Sequence, residues 1–333
     1  IQSSRDDIDP RRIIGKPAIL RIQNHEGDEG EEARHWNGCV SRFVQCGRHA
    51  SPDGEDIWVY ECDIVPWFWF MTQQEDCRIF QNKTVPEIVE TIFAEFQYDD
   101  FKMELTGEHP SLEYCTQYHE TTFDFISRLI EREGIYYYFR HNDEGGETRH
   151  ILVFADNKDS NPKLVPAELP FHHAGHAEHY DAVRTLAREE QMRTRKVTVH
   201  GWNYQRKTVH GENTPTVLEI GADRDLERYR YPGEIPDAER AKQWSRVMME
   251  AEEAGHLRLR GESDIRTLAP GHTFRLYDHP QDAFNADYMV LTVEHRGRNN
   301  LPGQEGASEY GNVFSLQPRD DVFRPPQSRA SGL

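Results

Sequence analysis

No apolar run in the chain approaches eighteen residues. The densest stretch, WFWFM from Trp67 to Met71, is far too short to span a bilayer, and mean hydropathy is -0.83. A positive charge balance is also missing: 58 acidic against 39 basic residues leave a formal net charge of -19. Nucleic-acid binders concentrate cations on one face, so this balance argues against such a surface. Like-charged copies repel at long range, and self-association therefore needs buried apolar contact or screened pairs. Cysteine is scarce. Cys39, Cys46, Cys62, Cys77 and Cys115 are odd in number and without C-x-x-C spacing, which implies buried thiols in a reducing compartment. There is no G-x-S-x-G, no G-x-x-x-x-G-K-[ST] and no G-x-G-x-x-G, so serine-hydrolase and nucleotide chemistry have no foothold. The opening IQSSRDDIDPRR holds no apolar secretory core and no initiator Met, and reads as a fragment without a Sec-type signal.

The 333 residues suit about two domains. Gly15 to His25, the run HWNGCVSRFV and Ile57 to Val65 have strand composition around a solvated GDEGEE turn, and together read as a β-barrel or meander closed by Pro66. Thr84 and Glu87 have capping-box spacing with Pro86 in the first turn, so a helix with Ile88, Val89, Ile92, Phe93 and Phe96 on one side is expected. Thr121 and Asp124 repeat the spacing at a second helix. Its apolar face is Phe123, Phe125, Ile126, Leu129 and Ile130, and Gly134 ends it. Ile135 to Phe139, with three tyrosines, follows as a strand covered on both faces; NDEGG then reads as a hairpin tip and Thr148 to Asp156 as the returning strand. Residues 157–189 read as a connector. Lys196 to Tyr204 opens a second β region, Asp237 to Ala254 is a third helix with Trp244, Val247, Met248 and Ala251 inward, and three further strands lie at Leu257 to Gly261, His272 to Tyr277 and Tyr288 to His295. GKPAILRIQNH and GHTFRLYDH share a weak echo, which supports a duplicated barrel.

Candidate chemistry is thin. HHAGHAEH, His172 to His179, packs four imidazoles into a loop but matches no metal-ligand spacing, so a solvated linker is the expected reading. Glu120, Asp124, Glu131 and Glu133 invite comparison with a glycosidase pair, yet each falls in a capping turn or on a helix's polar side, where carboxylates serve solubility and the dipole. The Tyr136, Tyr137 and Tyr138 run reads as strand interior or a subunit interface before a stacking platform.

Several motifs occur in order: WNGCVSRF, the Pro66 and WFWF boundary, CRIFQNKTVPEIV, QYHETTFDFISRLIEREGIYYYF, YPGE and FRPP. In this the chain resembles the hub portion of the VgrG family, spike proteins of type VI secretion systems, related to contractile phage-tail hubs. The resemblance implies an α+β, mainly β fold: two tube-type barrels with helix and hairpin insertions. The expected divisions are a first barrel region at 1–66, an insertion at 67–156, the connector at 157–189, a second barrel region with a helix at 190–318, and the start of a linker at 319–333 to an OB-like domain and β-helical needle. Further N-terminal strands are expected before Asp9 to Gly15. The motif residues carried over are structural: Arg78, Phe80, Gln81, Gln117, Tyr118, Glu120, Phe125, Arg128, Leu129, Gly134, Tyr137 and Phe139. No catalytic residue, metal or cofactor is implied. The implied partners are two further copies in a homotrimer, the hexameric Hcp tube, and, for an intact protein, effectors and a spike tip. Assembly in the bacterial cytoplasm followed by ejection is implied. A prophage tail hub and, more remotely, a wall-degrading carbohydrate hydrolase are the alternatives.

Overall fold

A computed structural model describes residues 1–22, 34–50, 56–142, 149–172, 181–219, 221, 223–231, 235–298 and 309–327. The GDEGEE turn, the NDEGG tip from residue 143, the histidine run from residue 173 and the last three residues of YPGE lie outside these.

β1 (Gln2–Ser3), β2 (Pro17–Ile22), β3 (Arg34–Ala50) and β4 (Asp56–Val65) form an antiparallel sheet of order β1-β4-β3-β2. It is open among the described residues, and only Val40 and Tyr60 of its apolar side chains are fully buried, while Ile19 and Leu20 on β2 are about half exposed. A 3-10 turn, Trp67–Gln73, leads into β5 (Glu75–Lys83), α1 (Val85–Glu95), β6 (Phe101–Glu104), β7 (Leu112–Thr121), α2 (Thr122–Glu133), β8 (Tyr136–Asn142) and β9 (Arg149–Ala155). β5 pairs with β7, and β6, β9 and β8 make a second small sheet. Their largest core draws every member from residues 67–154 and includes Phe68, Met71, Ile88, Phe93, Phe125, Ile126, Leu129 and Phe154.

The caps behave as local chemistry demands. At α1 the Thr84 hydroxyl accepts the Glu87 N–H, and the Thr84 N–H donates to Glu87 Oε2 at 2.8 Å, a full capping box. At α2 only half of it forms: Thr121 Oγ1 accepts the Asp124 N–H at 3.0 Å, but the shorter aspartate takes the Thr121 hydroxyl proton at 2.7 Å instead of reaching the backbone. Gly134 closes α2 with φ 75°, as a left-handed cap requires. The β8 strand is covered on both sides, Tyr137 and Phe139 by the insertion core, Tyr136 and Tyr138 by a second cluster that includes Phe323.

The stretch expected to be a connector holds two strands, β10 (Lys163–Pro170) and β11 (Val183–Glu190). They are the outer strands of a six-stranded sheet, β10-β16-β17-β18-β15-β11, completed by β15 (Leu257–Ser263), β16 (Thr273–Tyr277), β17 (Asp287–Arg298) and β18 (Glu309–Pro318). A bridge between Phe171 and Val183, with the His172 N–H donated to the Val183 carbonyl at 2.9 Å, joins the two outer strands and closes the sheet into a barrel. Its interior holds Leu169, Leu276, Val290, Phe314 and Leu316. Between β11 and β15 the chain builds a separate layer: β12 (Lys196–Asn203), β13 (Thr208–Pro215) and β14 (Glu227–Arg230) beneath α3 (Ala238–Ala254). On α3 it is Met249 that enters this core with Ala241 and Trp244, whereas Met248 is only partly buried, because the helix is pressed against the sheet on one side and α2 on another.

The sequence echo has a structural counterpart. Gly15 and Gly271 both adopt positive φ, 78° and 76°. Gly15 N–H donates to Val40 O, and Val40 N–H donates back to Lys16 O; Gly271 N–H donates to Val290 O, and Val290 N–H donates to His272 O. A register shift follows each valine, between Val40 and Arg42 and between Val290 and Thr292. The β2-β3-β4 unit is thus repeated as β16-β17-β18.

Candidate functional site: a buried ionic junction

The motif residues gather where β5, β7 and α2 meet. β5 and β7 pair with Arg78 opposite Gln117, so alternation sends Phe80 and Gln117 inward and leaves Gln81 and Tyr118 exposed. Phe80 stacks on Phe125 at 5.7 Å. Gln117 donates to the Glu120 carbonyl at 3.1 Å, holding the strand-to-helix corner. Glu120 accepts from Arg128 Nε at 2.8 Å and Nη2 at 2.7 Å, and the same guanidinium donates to Thr116 O and lies 4.9 Å from the Phe125 ring centre. Leu129 is fully buried, Tyr137 and Phe139 half-buried. Arg78 lies on the same face as Phe80 and Gln117, its guanidinium carbon 5.4 Å from the Phe96 ring centre and paired with Asp76 and Glu95.

Five further residues, spread over the sequence, converge beneath this corner. Glu133 is not on a solvent-facing side of its helix: it is 4 % exposed and takes a two-pronged ion pair from Arg240 of α3, itself 5 % exposed. His109 lies between Glu133 and Asp156, with Nδ1 3.5 Å from the first and Nε2 3.3 Å from the second. Asp156 accepts the backbone N–H groups of Thr106 at 2.9 Å and Gly107 at 2.6 Å. Burial works to raise the pKa of both carboxyls, but neighbours outweigh it: His109 and Arg240 hold Glu133 below the usual carboxylate range, and the Asn157, Thr106 and Gly107 donors do so for Asp156. Arg324, from FRPP, donates to Gly134 O at 2.9 Å and Asp156 O at 2.6 Å and pairs with Glu250 at 2.7 Å. No residue type or spacing announces this set, since Glu133 and Arg240 are 107 positions apart.

Above the junction a cleft of about 1380 Å³ runs between the segment 106–116 with α2 and the N-terminal half of α3. Arg132 lines it, with its guanidinium carbon 3.4 Å from the Trp244 ring centre. Burial, with the like charge of Arg240 added, pulls the Arg132 pKa down to about 9. The junction binds carboxylates to guanidinium groups, and Glu133, held below the usual carboxylate range, is not the raised-pKa acid that a glycosidase pair requires. Among the described residues, no group of His, Cys, Asp and Glu is arranged to hold a metal ion, and no helix is long and apolar enough to cross a membrane.

The family pattern described as "Phage tail baseplate hub (GPD)" matches residues 1–301. The chain belongs to this hub family. Among curated proteins, the hub chain is 34 % identical over 320 residues to the type VI secretion system spike protein VgrG1a of Pseudomonas aeruginosa, covering 95 % of this chain and 47 % of the relative. It is 29 % identical to the actin cross-linking toxin VgrG1 of Vibrio cholerae, over 96 % of this chain but 28 % of that protein. The hub chain thus spans about half the length, or less, of these relatives. Its fold is shared with an E. coli type VI secretion component described as similar to T4 tail proteins gp27 and gp5, at 19 % identity and TM-score 0.68, over 98 % of this chain and 71 % of that one.

Proposed function

We propose that the chain is the structural hub of a type VI secretion spike, a trimeric adaptor that joins a hexameric Hcp tube to a needle and its cargo. The observation that carries this reading is the internal repeat: one chain holds the β2-β3-β4 unit twice, so three chains present six related units, the number needed to meet a sixfold ring. The open first sheet, with half-exposed Ile19 and Leu20 on its outer strand β2, offers an edge and apolar surface for a second copy. The motif corner and the ionic junction are scaffold on this reading, and the chain carries no catalytic residue of its own. Assembly in the bacterial cytoplasm and ejection with the tube follow from the same role, as do effectors and a spike tip carried by an intact protein. A prophage tail hub is the nearest second reading, since hub folds are shared between the two machines.

Light scattering of the purified chain tests the assembly step: a mass three times that of the 38.9 kDa chain is expected. A strictly monomeric chain that fails to cap preformed Hcp rings in electron micrographs refutes the adaptor reading.

A further inference from the structure

We propose that the cleft between the segment 106–116 and α3 is a docking site for a single carboxylate presented on a peptide segment of a partner protein, with Arg132 as its receptor. This goes beyond the hub reading and does not depend on it.

The argument begins with charge. Four cations on the walls of the cleft have their charges met within the chain: Arg128 by Glu120, Arg240 by Glu133, Arg324 by Glu250 and Arg246 by the same Glu250. The Arg132 guanidinium sits among them with no hydrogen bond or ion pair to any described residue, although the chain carries 58 acidic residues. Its one close partner is the indole of Trp244, and Arg240 lies 4.6 Å from the centre of the same ring. Two guanidinium groups on one indole repel each other, and desolvation adds to the cost; an anion beside Arg132 offsets both. Stacking fixes the plane of the guanidinium, so the donors along its edge are preorganised for the two oxygens of a carboxylate.

Size and rim chemistry narrow the class. At about 1380 Å³ the cleft is far larger than a free ion, and it admits several residues of an extended chain. Its rim is mixed, with exposed Glu108, Asp237 and Glu239 beside exposed Lys242 and Arg246. Dense polyanions are repelled by that rim, and by the -19 net charge of the chain, whereas an isolated acidic side chain on a neutral backbone is not.

The test is a titration of the whole isotope-labelled chain with a blocked Gly-Gly-Glu-Gly-Gly peptide, its Gln counterpart and inorganic phosphate. It follows arginine Nε–H and tryptophan indole resonances, assigned with Arg132→Lys and Trp244→Phe. The expected result is a saturable shift of the Arg132 and Trp244 signals by the Glu peptide. Affinity should fall at least tenfold for the Gln peptide and at least tenfold in Arg132→Gln, and less steeply in Arg132→Lys, which keeps the charge without the fork. Should Arg132→Gln fail to fold, the Lys variant carries the comparison. No saturable shift, equal binding of the two peptides, binding indifferent to both Arg132 variants, or a response to phosphate alone would each overturn the assignment.

Discussion

Tyr138 lies so close over Gly271 that a Cβ on the glycine would stand 2.3 Å from the tyrosine Cγ. The ring is held there by its hydroxyl, which donates to Ser160 O at 2.8 Å, while Asn161 reaches across to Gly271 O at 2.8 Å. Insertion and closed barrel are therefore seated on each other through one glycine that also needs φ 76°.

Gly271→Ala should lower stability on the order of 2 to 5 kcal/mol, the combined cost of a left-handed alanine and an overpacked contact. Urea unfolding measures it. Adding Tyr138→Ala, which removes the Cγ and the ring, should return part of the overpacking loss, whereas strict additivity of the two changes would show that they do not share this contact.

The Glu133–Arg240 pair is almost wholly desolvated. Removing one charge strands the other, so Glu133→Leu or Arg240→Met alone should cost about 3 to 5 kcal/mol, and the two combined considerably less. Thermal and urea melts of the four proteins form the double-mutant cycle.

Phe125 and Leu129 are packed without exposure in the insertion core. Truncating either to alanine should cost roughly 2 to 5 kcal/mol. A change below about half a kcal/mol in a urea melt would contradict the packing described here.

Two imidazoles, one against the first sheet and one against the 3-10 turn that follows it, accept backbone hydrogen bonds only while neutral. His141 Nδ1 accepts the Asn37 N–H at 3.1 Å, and His150 Nε2 accepts the Trp67 N–H at 2.9 Å. Burial, followed by the charge of Arg34, lowers the His141 pKa to about 3, and burial lowers that of His150. Asp100, which faces His150 and pulls the other way, is paired with Arg149. His272, which also faces His141, is held near 4. A lowered pKa means that the unfolded chain takes up the proton first, so the stability conferred by neutral His141 is complete above about pH 6.5. It then declines by about 1.4 kcal/mol per pH unit for a fully shifted group, down to about pH 3. Melts between pH 7 and pH 5, above the main carboxylate range, isolate this contribution. The double variant His141→Asn, His150→Gln keeps two acceptors that do not titrate, and its stability should fall less steeply than wild type over that window.

What could be read without coordinates was local. Thr84, Thr121, Asp237 and Gly134 announce helix ends because caps are made by neighbours within four residues. β10 and β11 are not legible in the sequence because KLVPAELP carries two prolines and pairs in parallel with a strand more than a hundred residues on, while β11 alternates with charges on an outer strand. Glu133 is illegible for the same kind of reason: on its helix it looks like a solvated end residue, and only the approach of α3 supplies Arg240. The strand β18 lay beyond the expected set because its apolar positions become legible only once the barrel closes around Phe314 and Leu316.

The grip of Arg324 has a mechanical meaning. One side chain is anchored to the end of α2 through Gly134 O, to the end of β9 through Asp156 O, and to α3 through Glu250. Pulling the segment that carries Arg324 away from the fold therefore requires contacts to three elements to break together, where a side chain held by one element would release it with a single contact.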